Sequence, residues 1–359
     1  MLEVEQLAIA FDRYTTLLTR GRQQPVRSLD LCLAAGEIMA VVGESGAGKS
    51  LLAHAVLGLL PGNARVSGTM RFRGEALTPK RIAHLRGKEI ALIPQAVSCL
   101  NPLWRVGGQV ARAARLGGQR RDAAVAGTKA AFERYGLQQA VRELFPFQLS
   151  GGMAKRVLTA AATVGKASLI IADEPTAGLD SENRRKMLSF LRLMADGGRS
   201  VLLITHDLET ALQVTDRVAV FHNGMTIEIL PGRVFGKTDG ARHPYTRLLF
   251  NALPQNDFTA SINGTTKGIE DNGCWRGCGF YHQCPSADPA CKDQIPPMQK
   301  TAGGWVRCHK LEDEVSAEGA IGSVQADTNT AGEQTLESDP SSGHGLRAEP
   351  NPQPGDCHA

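Results

Sequence analysis

A chain of 359 residues has room for about two domains and a substantial buried core. Hydrophobic residues at 42% and charged residues at 21% exclude a fully disordered or fibrous protein. The net charge of +4 conceals a division: residues 1–310 carry 39 basic and 26 acidic side chains, whereas residues 311–359 carry ten acidic ones and a single basic one, Arg347. A basic body suits nucleic acid, an anionic lipid surface or a phosphorylated ligand, and charge alone does not choose among them. No apolar run reaches the roughly 18 residues of a spanning helix, and the opening MLEVEQLAIA lacks the basic region of a secretory signal, so the expected compartment is the cytoplasm. Eight cysteines are too sparse for a disulfide scaffold, and in a reducing compartment they would be thiols or metal ligands.

Along the chain, Ile38 to Val42 reads as a buried strand that runs into Gly43-Glu44-Ser45-Gly46-Ala47-Gly48-Lys49-Ser50 and then into a helical run from Leu51 to Leu60. This is the P-loop pattern in its required strand-loop-helix context. The glycines let the backbone turn tightly, so that amide N–H groups and the positive end of the following helix surround an anion. Lys49 is placed to reach the β- and γ-phosphates of a nucleotide, and the Ser50 hydroxyl to bind Mg²⁺.

Ile90 to Ile93 is a second strand-like run, followed by Gln95. Between Val97 and Lys166 strand-like runs vanish and apolar residues fall at helical spacing, which predicts an inserted helical subdomain. A strand over Leu169–Ala172 ends in Asp173-Glu174, at the strand edge where an α/β sheet places its ligand crevice. Asp173 is the candidate Mg²⁺ ligand and Glu174 the candidate that polarises the attacking water. A further strand, Val201 to Thr205, delivers His206 to the same edge, where an imidazole can meet the γ-phosphate and the water. Apolar β-branched runs alternating with helices predict an α/β fold with a largely parallel sheet.

Leu149-Ser150-Gly151-Gly152-Met153 then resembles the LSGGQ signature loop of the nucleotide-binding subunits of ATP-binding cassette (ABC) transporters, and the match runs in order through residues 1–310. The resemblance implies a P-loop NTPase (RecA-like) core over residues 1–235, with the helical subdomain at about 97–165. It implies that Ser150, Gly151 and Gly152 contact the γ-phosphate held by another subunit's P-loop, which agrees with the affinity of a helix N-terminus for anions. Gln95 matches the Q-loop, linking Mg²⁺ and water to the helical subdomain, and Asp180 the D-loop. Phe11, with Tyr14 as second candidate, fits the place of the adenine-stacking aromatic. Met153 stands for the usual Gln of the signature, and Ala154-Lys155 for a more usual Arg-Gln.

Ser98-Cys99-Leu100-Asn101-Pro102-Leu103 and His243-Pro244-Tyr245-Thr246 resemble segments of the oligopeptide, dipeptide and nickel importers within that family. Residues 236–310 would then be their cysteine-rich C-terminal module. By resemblance, Cys278, Cys284, Cys291 and Cys308 are candidate ligands of an iron-sulfur cluster or of zinc; four thiolates suit either, and the spacing does not decide. Because this segment is poor in apolar residues, ligation is expected to supply its stability. Beyond Leu311 aromatic residues disappear, and residues 311–359 are expected to form a disordered acidic tail.

The resemblance thus implies an ATPase that powers import of peptides or nickel. Its ligands would be ATP and Mg²⁺, and its partners a second ATPase subunit, two membrane permeases and an extracytoplasmic solute-binding protein. It would lie peripherally on the cytoplasmic face of the inner membrane and bind no nucleic acid. The alternative is a soluble ABC-type ATPase acting on nucleic acid or on a cytoplasmic enzyme complex. Such proteins usually carry a long coiled-coil insertion or two cassettes, and this sequence has neither.

Overall fold

The computed structural model describes residues 1–14, 20–235, 240–253, 276–301 and 303–311. Residues Met1–His309 form one compact unit. The acidic tail expected from residue 311 onward lies, after its first residue, outside the described residues, as do Cys274 and Cys357.

The chain opens with two long strands, β1 (Leu2–Tyr14) and β2 (Arg20–Leu33). The five buried residues of β3 (Ile38–Val42) lead into α1 (Lys49–Val56). Next come β4 (Ala64–Phe72), β5 (Glu75–Ala76), α2 (Pro79–Leu85) and β6 (Ile90–Ile93). Three helices, α3 (Val106–Leu116), α4 (Arg121–Arg134) and α5 (Gly151–Thr163), separate β6 from β7 (Leu169–Asp173). The core continues through α6 (Ser181–Asp196), β8 (Ser200–Thr205), α7 (Leu208–Leu212), β9 (Arg217–His222) and β10 (Met225–Pro231). After α8 (Gly232–Phe235) and α9 (Pro244–Asn251), the C-terminal region adds α10 (Pro289–Asp293), β11 (Met298–Thr301) and β12 (Gly304–Arg307).

Five strands, in the order β9-β3-β8-β7-β6, are mutually parallel. Both faces of this sheet are covered, which is why its strands read as unbroken apolar runs. Side chains alternate between two cores: Ile38, Ala40, Ile170, Ala172, Val201 and Leu203 enter one, while Met39, Val41, Leu169, Ile171, Leu202 and Ile204 enter the other. The second core is closed by an antiparallel layer, β5-β4-β1-β2, whose Leu2, Val4, Leu29, Leu31 and Leu33 point inward. The sequence reading of a largely parallel sheet did not foresee this layer.

Helices α3, α4 and α5 bury a third cluster of their own, including Val110, Phe132, Tyr135 and Val157, as their helical spacing predicts. The C-terminal segment departs from expectation. It is too poor in apolar residues to bury a good core by itself, and instead Cys278, Phe280 and Cys291 are buried in the same cluster as β3, β7 and β8. β12 extends the sheet by pairing antiparallel with β10. The buried Arg307 guanidinium donates from Nε to the Thr226 carbonyl (2.9 Å) and from Nη1 to that of Pro296 (2.9 Å). A few residues packed on an existing core achieve what a small isolated module could not.

Candidate active site

Parallel register assembles the site. Val42 pairs with Thr205, and Asp173 with Ile204, so the residues that follow β3, β7 and β8 emerge at one edge of the sheet. Gly43–Ser50, Asp173–Glu174 and His206 therefore converge, as the sequence predicts.

The loop between β3 and α1 owes its shape to glycine at two points. Gly48 caps α1 in the left-handed region (φ 96°), and a Cβ there would meet the Pro25 carbonyl oxygen at 3.0 Å. A Cβ on Gly43 would lie 2.0 Å from the Phe221 carbonyl oxygen, a distance no side chain tolerates. The curled loop directs Lys49 inward, where Nζ donates to the carbonyl oxygens of Gly43 (2.8 Å) and Glu44 (2.7 Å). Burial lowers the pKa of this lysine, while the nearby Glu174, Asp173 and Glu44 work to raise it. The Ser50 hydroxyl donates to Asp173 Oδ1 at 3.0 Å, which joins the phosphate loop directly to the carboxylate pair. Burial pushes the Asp173 carboxyl up; the Ser50 bond opposes this and the neighbouring Glu174 reinforces it.

Glu174 is held from several sides. Its backbone is left-handed (φ 46°), and its N–H donates to the Ile204 carbonyl at 2.9 Å. One carboxylate oxygen accepts from the His206 N–H (3.0 Å) and lies 2.7 Å from His206 Nδ1, and the other accepts from the Thr205 hydroxyl (3.2 Å). The carboxylate is nearly buried and the imidazole half exposed, so one edge of the pair stays open to an incoming molecule.

The remaining candidates make no contact with this centre among the described ones. Gln95 follows β6 and is exposed. Ser150 caps α5, its hydroxyl accepting from the Met153 N–H at 3.3 Å; Gly151 opens the helix and Gly152 faces Asn183 and Leu179. Asp180 caps α6 by accepting from the Asn183 N–H at 2.9 Å, and its bonds to Asn183 lower its pKa. Phe11 on β1 packs against the second core. The side chain of Tyr14 lies outside the described residues.

The metal reading of the cysteines finds no support in the described geometry. Among the described residues no group of three or more His, Cys, Asp or Glu side chains is arranged to hold a metal ion. Cys278 and Cys291 are buried in the apolar core, with Cys284 packed against it. Burial raises the Cys278 thiol to about 11 and also raises those of Cys284 and Cys291, and neighbouring cysteines of the set, Cys308 among them, add to each shift.

Two features escaped the sequence reading. The Tyr245 hydroxyl donates to Glu44 Oε1 at 3.1 Å, and the His222 ring stacks on Tyr245 with centroids 3.9 Å apart. Lys155 is buried, and its Nζ donates to the Glu174 carbonyl at 2.9 Å. Tyr245 belongs to a motif the sequence displays, and Lys155 is visible as a departure from the usual signature.

A doubly covered parallel sheet with a phosphate loop, an acidic pair and a histidine along one edge defines a P-loop ATPase of the cassette type. The profile described as ABC transporter matches residues 26–177, and that described as oligopeptide/dipeptide transporter, C-terminal region, matches residues 233–291. The oligopeptide transport ATP-binding protein OppD of Salmonella typhimurium is 32% identical over 327 residues, covering 88% of this chain and 95% of that protein. The dipeptide transport ATP-binding protein DppD of Escherichia coli is 31% identical over 335 residues, covering 88% and 98%. A dimeric ATP-binding cassette solved in a post-hydrolysis state with ADP and Pi superposes with a TM-score of 0.58, over 65% of this chain and 99% of that one, at 21% identity, a likeness of fold. The chain belongs to the ABC transporter family, as one of its ATP-binding, ATP-hydrolysing subunits. Among the described residues no helix is long and apolar enough to cross a membrane.

Proposed function

We propose that this subunit powers an importer of peptides by hydrolysing Mg-ATP at the edge formed by β3, β7 and β8. The observation that carries the reading is the Ser50–Asp173 bond, which fixes the phosphate loop against the carboxylate pair. Peptide rather than nickel cargo is favoured because the relatives named above are oligopeptide and dipeptide transport proteins and the C-terminal profile bears the same description.

The loop Gly43–Ser50 grips the polyphosphate through backbone amides, and Lys49 exchanges its two carbonyl acceptors for phosphate oxygens. The hydroxyl of Ser50 and the carboxylate of Asp173 fit Mg²⁺, with Gln95 completing its surroundings; when bound, this ion supplies charge neutralisation on the phosphate oxygens. Glu174 orients the attacking water and takes up its proton, and His206, hydrogen-bonded to Glu174, aligns that carboxylate and faces the γ-phosphate. Phosphoryl transfer depends chiefly on such positioning and charge neutralisation.

Ser150, Gly151, Gly152 and Asp180 serve the nucleotide of a second ATPase subunit, and Phe11 stacks on adenine. Two permease subunits are the partners across the exposed Leu103 and Trp104 beside Gln95, and an extracytoplasmic solute-binding protein delivers the cargo. On this reading the subunit lies peripherally on the cytoplasmic face of the membrane. An iron-sulfur or zinc centre at the cysteines is not part of the reading.

Calorimetric titration of the Lys49→Ala variant tests the nucleotide site: ATP affinity is expected to fall at least tenfold, and undiminished affinity overturns the reading. Peptide uptake in cells carrying the same variant is expected to stop.

A further inference from the structure

The Glu174 backbone occupies a conformation that non-glycine residues seldom adopt, with φ at 46°. Such a residue costs of order 1–3 kcal/mol and persists only where its surroundings over-determine it. The carboxylate is held by Thr205 and His206, and the N–H by the Ile204 carbonyl. What remains is the Glu174 carbonyl, whose direction sets the rotation of the peptide that follows. It accepts from Lys155 Nζ at 2.9 Å and, more weakly, from the Ala177 N–H at 3.3 Å.

Lys155 is an unusual choice for this task. It sits on α5 among the buried Ala154, Val157 and Leu158, and is itself only 6% exposed. Burial lowers its pKa, with Glu174 and Asp173 opposing the shift. Taking an ammonium out of water into such surroundings is costly unless acceptors and opposite charge receive it. Here they are the Glu174 carbonyl and the two carboxylates at the end of β7. Where the signature helix usually carries a neutral amide, this chain has a cation that joins the second turn of α5, one turn beyond Ser150–Gly152, to the residue proposed to activate water.

We propose that Lys155 is a positioning residue for ATP hydrolysis. It anchors the peptide of Glu174, and so aims the carboxylate; it also couples any displacement of the signature helix to that aim. Lys155 itself touches neither nucleotide nor water. The inference rests on the reading of Glu174 as the water-activating residue.

The test uses steady-state ATPase kinetics of the full chain. Lys155→Met keeps the length and apolar stem but removes the donor; kcat is expected to fall at least tenfold while KM for ATP stays within twofold. Lys155→Gln restores an N–H donor and is expected to recover at least a third of the lost rate. In a Glu174→Gln background Lys155→Met should add no further loss. If Lys155→Met fails to fold, Lys155→Ala takes its place with the same expectations. A kcat within twofold of the unaltered protein, a parallel rise in KM, or no recovery with Gln overturns the proposal. Loss of turnover in Glu174→Gln together with normal turnover in Lys155→Met sinks this inference alone. Normal turnover in Glu174→Gln removes the reading beneath it as well.

Discussion

The hydroxyl of Tyr245, on α9, donates to the carboxylate of Glu44, the second residue of the phosphate loop, across 3.1 Å and 201 positions of sequence. Tyr245 is buried, and Phe280 and the partly buried His222 pack against its ring. The C-terminal region therefore has a direct hold on the loop that binds phosphate.

Removing that hold has a measurable size. A hydrogen bond to a charged acceptor contributes about 1.5–3 kcal/mol when buried, and the Glu44 carboxylate is largely exposed, so about 1 kcal/mol is expected here. Tyr245→Phe and Glu44→Ala should each lower stability by that amount, and the double variant by no more than either alone. Urea denaturation of the four proteins checks it; fully additive losses would show that the two side chains do not interact.

Glu174→Gln keeps the acceptor for Thr205 and nearly the same volume but cannot take a proton. Turnover should drop at least a hundredfold while ATP binding is retained, and the variant should accumulate as a nucleotide-bound dimer on size-exclusion chromatography. His206→Ala removes the imidazole 2.7 Å from the same carboxylate, and should lower kcat with less effect on KM. Hydrolysis at the unaltered rate in Glu174→Gln would exclude this carboxylate from activating water.

Stability should fall as the solution is acidified because of His243. This fully buried imidazole receives the Tyr245 N–H on Nδ1, and its burial, with His222 and Arg247 nearby, pushes its pKa down to about 3. In the unfolded chain it takes a proton near pH 6.5. Between these values only the unfolded state is protonated, so the contribution is complete above about pH 6.5 and is lost toward pH 3. The slope is about 1.4 kcal/mol per pH unit. Glu228, which accepts from the His243 and Arg242 N–H groups, has a carboxyl raised by burial and acts in the opposite sense as pH climbs above the ordinary carboxylate range. Comparison with His243→Asn, which keeps an acceptor at the helix start, isolates the histidine. Between pH 7.5 and 5.5 the unaltered protein should lose about 1.4 kcal/mol more than the variant; equal losses would contradict the assignment.

The site-bearing strands were legible because burial on both faces leaves an apolar run that ends abruptly in chemistry: Val42 before Gly43, Ala172 before Asp173, Thr205 before His206. The antiparallel layer was not. β1 and β2 alternate only in part, and register shifts between Val4 and Leu7, Leu7 and Ile9, and Ile9 and Phe11 interrupt the period of two. The packing of the C-terminal segment was not legible either. Cys278 and Cys291 were read by their kinship to a ligand set, which does not announce that both enter the core shared with β3, β7 and β8. The contacts of Tyr245 and Lys155 join residues far apart in the chain, and no local pattern announces such a meeting.

Lys49 rests on the carbonyl oxygens of Gly43 and Glu44, which stand where an anion's oxygens would otherwise receive its charge. The loop is thus propped open by its own placeholder and need not be frozen from a slack chain when a guest arrives. Entry becomes a swap of one pair of oxygen acceptors for another, and little ordering entropy opposes it.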